Sequence, residues 1–174
     1  MDLQSLTVAA VSGTLGAAMT QGVVLWREAR KSDKDKRYWA LTTALVFERF
    51  ALTCAHQLEE TRLFQQSSGA AGSEHFNLPV LDALPSGVDW QALDQNIVSL
   101  VLSFPLELEE SGRGVTFHYG VLGEDGAAEY CEGQIRDRGA QAVQIAEALR
   151  AKYDIKPLRL NVGWDFRGTL HNAD

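Results

Sequence analysis

DKRYWALTTALVFERFALTCAHQLEETRLFQ, Asp35–Gln65, decides the fold class. Ala40, Ala44, Phe47, Ala51, Cys54 and Leu58 recur at steps of four and three, the spacing that puts side chains on one face of an α-helix. Leu41, Leu45, Leu52 and Ala55 widen that face. So broad a stripe predicts packing against more than one neighbour, and therefore a helical bundle. Glu48, Arg49 and His56 lie within it. A charge removed from water requires a partner, so at least one of the three is expected to point inward or at an interface and to be paired within the chain.

On the N-terminal side, no charged side chain occurs from Leu3 to Trp26. As a helix, LTVAAVSGTLGAAMTQGVVLW, Leu6–Trp26, would be roughly 30 Å long, the hydrocarbon thickness of a bilayer. Arg27, Arg30, Lys31, Lys34, Lys36 and Arg37 follow at once, whereas only Asp2 precedes the run. Positive charge after the apolar segment disfavours a secretory signal peptide. It fits instead a single-pass anchor in residues 1–30, with an acidic helical domain, residues 31–174, on the cytoplasmic side of the cell membrane.

On that basis Arg27, Arg30, Lys31, Lys34 and Arg37 are expected to contact lipid headgroups. Ala9, Gly13 and Ala17 have the small-residue spacing that lets helices approach closely, and Gln21 can bond across such a contact. Gly13, Ala17 and Gln21 are therefore expected to form a self-association interface. The run is also interrupted by Thr7, Ser12, Thr14 and Thr20. The alternative is a soluble, cytoplasmic α-helical oligomer, a scaffold or adaptor whose first helix is buried between subunits.

Ser67–Pro79, SSGAAGSEHFNLP, has the composition of a flexible linker. A third helix is expected to start near Ser86 or Asp89 and to bury Trp90, Leu93, Ile97, Leu100, Val101 and Phe104, with Pro105 kinking or ending it. Gly120–Gly126 reads as a turn before a fourth helix, about 127–153, that buries Cys131, Ile135, Ala142, Ala146 and Leu149. Gly139 marks either a close approach or a weak point in that helix. Val115–Leu122 favours extended structure by side-chain type, so at most a short β-ribbon of 115–122 with 158–162 is allowed. The expected fold is mainly α: a small bundle of about four helices, the first a candidate transmembrane helix.

The 174 residues carry a net charge of −7. Residues 27–37 are locally basic, and everything from Tyr38 onward has ten basic against nineteen acidic side chains. A pI near 5.1 argues against nucleic acid as a partner, since a phosphate backbone needs a positive face. Cys54 and Cys131 have no pairing motif and are expected to be reduced and buried.

Four scattered histidines, with no metal-ligand spacing among them, point to no metal and no cofactor. Ser12–Gly16 lacks the lysine and third glycine of a nucleotide loop, and there is no nucleophile motif. The expectation is thus a non-enzymatic structural or interaction protein with an unknown protein partner. A small enzyme with a dispersed site around Glu48 and His56 is the remaining alternative, and it requires those groups to share a cleft.

Overall fold

Helix α1 runs from Leu3 to Gln66 and helix α2 from Gln95 to Lys152, with a single 3-10 turn at Trp90–Ala92 before α2 and a short helix α3 at Phe166–His171. The computed structural model describes the backbone of residues 3–160 and 163–171, and the side chains of 32–160 and 163–171. The chain divides into two units, Met1–Tyr38 and Trp39–Asp174. The first is helical over its described backbone. The second holds the core.

Within the second unit, α2 is a hairpin. Gly123 has φ 77° and ψ −166°, a conformation without access for a side-chain-bearing residue, and it reverses the helix into two arms, 95–122 and 124–152. The arms are fastened rung by rung: Ser111 to Gln134 at 2.6 Å, Glu107 to Arg138 and Gln141 at 2.7 Å each, and Asp94 to Lys152 at 2.8 Å. The expected turn at Gly120–Gly126 is where this reversal occurs.

Residues 39–66 of α1 lie against both arms. Ala40, Ala44, Phe47, Ala51, Cys54 and Leu58 are all buried, so the periodic face read from the sequence is the core face. Phe104 of the first arm stands edge-on to Phe47 and Phe50, with centroids 5.2 and 5.3 Å apart. From the second arm come Cys131, Ile135, Ala142, Ala146 and Leu149. Leu45 and Leu100, assigned to the buried faces by spacing, are exposed instead. A bundle of three helical segments buries a narrower arc of each than a four-helix arrangement would.

The chain returns from α1 to α2 along the outside of α1. The amide of Gly69 donates to Phe64 O at 2.8 Å and that of Ser73 to Glu60 O at 3.2 Å, His75 meets Glu60 at 2.6 Å, and Arg49 meets Asp82 at 2.9 Å. Leu78, Leu81 and Leu84 pack on the core from this side.

Gly139 is a close approach. A Cβ there would lie 2.5 Å from Leu170 Cδ2 and 2.9 Å from Cys54 Cβ. The Leu170 tip can swing aside, but the Cys54 Cβ is fixed to its backbone. Gly139→Ala is therefore expected to lower stability by about 1–2 kcal/mol, overpacking of up to about 3 offset by about 1 of helix propensity. A urea midpoint equal to or above the parent's would contradict this.

Helix α2 begins at Gln95, not near Ser86 or Asp89. Asp94 caps it by accepting from the amides of Asn96 and Ile97 at 3.1 and 3.3 Å, while Asp89 only precedes the 3-10 turn. The Lys152 ammonium, followed by those amides, holds the Asp94 carboxyl below its ordinary value of 3.8. Glu107 is likewise held low, first by Gln141 and then by Ser103 and Arg138.

Because both folded-state values are depressed, the stabilisation is present above the unfolded values and is lost as pH falls through the folded ones. The variant Asp94→Asn/Glu107→Gln keeps a capping side chain but has nothing to protonate. It is expected to lose less stability than the parent between about pH 5 and pH 3 in parallel urea titrations.

Three expectations are corrected. The described residues contain no strand: 115–122 is helical throughout, and 158–160 is irregular, with 161–162 outside the described residues. As helix, this stretch gains partners that a lone strand would lack. Val115 is buried, and His118 stacks on Tyr130 at 4.0 Å and 9°, so tertiary packing overrides β propensity. The four expected helices are three among the described residues: the first two run together as α1, the third and fourth are the two arms of α2, and α3 is added. Pro105 also sits inside α2 without ending it.

The third correction removes the membrane anchor. Among the described residues no helix is long and apolar enough to cross a membrane. The expected span itself, Leu6–Trp26, falls among residues whose side chains lie outside the described set. With no span among the described residues, the single-pass topology, the lipid partner and self-association through a lipid-embedded helix lose their premise. Gly13, Ala17, Gln21, Arg27, Arg30 and Lys31 lie outside the residues whose side chains are described; Lys34 and Arg37 are exposed.

Candidate functional site

The chemistry-bearing residues picked out by sequence do not meet. Glu48 is buried and its two oxygens accept from Arg150 Nε and the second guanidinium nitrogen at 2.6 and 2.7 Å, a pair made across 102 positions. Arg150 also donates to Lys156 O at 2.5 Å, so the pair anchors the chain where it leaves α2. His56 is exposed, its ring 4.6 Å from that of Trp164. Arg49 is exposed and paired with Asp82. Glu48 therefore acts as a structural anchor, its carboxylate engaged by Arg150 while His56 lies exposed against Trp164.

Neither cysteine is a poised nucleophile. Both are free and buried, and burial pushes the Cys54 thiol up to about 12 and the Cys131 thiol up to about 11. Among the described residues no three His, Cys, Asp or Glu side chains come together to hold a metal ion.

Two polar concavities follow the seam between α1 and the second arm of α2. One, of about 450 Å³, lies among Glu59, Arg62, Arg136, Trp164, Asp165 and Thr169; the other, of about 230 Å³, lies among Thr61, Glu74, His75, Asp125 and Glu129. Gln65 and Glu132 line both. Several of their charges are mutually engaged: Arg62 with Glu59 at 2.7 Å, and Arg136 with Glu132 at 2.9 Å, with the Thr169 hydroxyl on Glu59 at 3.1 Å. A ligand would have to displace these contacts.

The largest of the three is apolar. A groove of about 530 Å³, open to solvent along its length, lies between the returning segment 77–84 and the first arm of α2. Leu78, Pro79, Val80, Leu81 and Leu84 form one wall, and Pro105, Leu108 and Gly112 the other. Its size is that of a small-ligand or peptide site. Beyond its lip the outer face of the arm carries Leu102, Leu106, Phe117 and Val121, with Leu106 66% and Phe117 67% exposed. At 3.6 residues per turn these four fall within an arc of about 100°. An Arg113 cluster with Glu109 and Glu110, 2.6 Å to each, divides them into two pairs.

Sequence spacing missed this site because the groove wall begins inside the segment read as a flexible linker, Ser67–Pro79, although Asn77–Pro85 is rich in leucine. Pro105, expected to kink or end its helix, forms part of a groove wall within α2. No protein-family model, no curated protein and no solved structure matches the chain.

Proposed function

We propose that this chain is a non-enzymatic helical scaffold or adaptor that recruits another protein through the first arm of α2. The observation that carries this is the set of exposed large apolar side chains grouped on one face of that arm, Leu102, Leu106, Phe117 and Val121. Large apolar side chains grouped on one exposed face are costly to leave in water and mark interaction sites. Glu48, Glu59, Glu107 and Glu132 are each held by a partner within the fold.

Quantitative affinity purification tests it, using the tagged parent chain beside Leu106→Asp/Phe117→Asp. Both side chains are exposed, so the variant is expected to keep the parent's circular dichroism and melting midpoint. The expected result is at least one protein recovered with the parent in near-equal molar amount and reduced about tenfold or more with the variant, the effect of roughly 1.4 kcal/mol of lost binding. Identical recoveries with the two chains would refute the proposal.

A further inference from the structure

The groove differs from the exposed face beside it in what its walls offer. Segment 77–84 has no regular secondary structure, and among the described residues no backbone–backbone hydrogen bond reaches any position from 74 to 87. One wall is thus a run of chain with unused amide donors and carbonyl acceptors, the feature by which an extended segment takes up a second strand. Val80, in the middle of this run, is 89% exposed.

Polarity narrows the occupant. The charged residues lining the groove are both acidic, Asp82 and Glu109. Each engages an exposed arginine through one carboxylate oxygen, Asp82 Oδ2 with Arg49 and Glu109 Oε1 with Arg113, and so retains the other for a second donor. An open apolar trough rimmed by carboxylates is complementary to an apolar chain bearing cations.

Resting on the adaptor reading, we infer that this groove binds an extended segment of the partner protein in which apolar residues alternate with Lys or Arg. The segment lies along 77–84, exchanges backbone hydrogen bonds with it, places alternate apolar side chains against Leu78, Pro105 and Leu108, and brings its cations to Asp82 and Glu109.

Gly112 provides the test. A Cβ added there meets nothing within 4 Å, so Gly112→Leu projects into the groove without a clash and improves the helix that carries it. The probe is a fluorescein-labelled heptapeptide alternating leucine and lysine, followed by anisotropy against the full chain, with versions carrying glutamate or serine in place of lysine. The parent is expected to bind the lysine peptide in preference to both controls. Gly112→Leu should weaken that binding about tenfold or more, and Asp82→Asn/Glu109→Gln should reduce the preference over the serine peptide.

Equal binding by Gly112→Leu and the parent would place the peptide on the acidic surface at large and overturn the inference. So would preference for the glutamate peptide, or absence of binding together with self-association that Gly112→Leu relieves, which would make the occupant a second copy. Partner recovery separates the two proposals. If Gly112→Leu still recovers the partner and Leu106→Asp/Phe117→Asp does not, the groove assignment fails and the adaptor stands; if neither variant changes recovery, both fail.

Discussion

Glu48→Ala is expected to destabilise the domain by about 3–5 kcal/mol, because it leaves the Arg150 guanidinium buried with no counter-charge. The two side chains are 5% and 8% exposed, so solvent screens the interaction little. Glu48 also holds the Arg150 proton more firmly, moving that pKa further up from its ordinary value. The damage should extend past α2, since Arg150 carries Lys156 O and accepts the Ile155 amide at 2.9 Å on its own carbonyl.

Urea unfolding measures the effect, and a double substitution discriminates its cause. Glu48→Met/Arg150→Leu removes both charges while keeping bulk, and is expected to recover to within about 1 kcal/mol of the parent. If the single and double variants were equally unstable, the loss would belong to packing and not to an orphaned charge.

Phe104→Ala is expected to cost a comparable amount, about 3–5 kcal/mol. Phe104 is fully buried, and its ring meets those of Phe47 and Phe50 edge to face, so truncation empties the junction between α1 and the first arm. The hole would be lined by apolar side chains and would stay dry. Benzene is therefore expected to raise the melting temperature of Phe104→Ala and not that of the parent. A loss below about 1 kcal/mol would mean that the site collapses around the missing ring.

These two sites were legible in the sequence to different degrees. Phe104 was placed in the core by helical spacing, because a three-and-four step fixes which side of a helix a residue occupies. Glu48 was expected to need an intrachain partner on solvation grounds alone, but nothing local indicated Arg150, 102 positions away. Neither the hairpin rungs nor the groove was legible, for the same reason. Ser111 with Gln134 and Pro105 with Leu81 are neighbours only because Gly123 turns the helix back and the 67–94 connection runs down the outside of α1.

The membrane assignment failed in a different way. Length and flanking charge fitted a span, but among the described residues no helix is long and apolar enough to cross a membrane. The β-ribbon failed because side-chain preference in Val115–Leu122 is a weak local term, worth up to about 1 kcal/mol, against the burial of Val115 and the His118–Tyr130 stack.

By itself, then, the order of residues determined that this protein is helical, which face of Ala40–Leu58 turns inward, where the chain reverses near Gly123, and that its two cysteines are buried thiols. Those properties follow from period, propensity and solvation, which act over a few neighbouring residues. Only the tertiary structure decided how Glu48 is neutralised, why residue 139 must be glycine, that 115–122 is helix, and that an apolar groove opens beside an exposed apolar arm. Each of these depends on which distant segments are brought within a few ångströms of one another, and local sequence does not encode that distance.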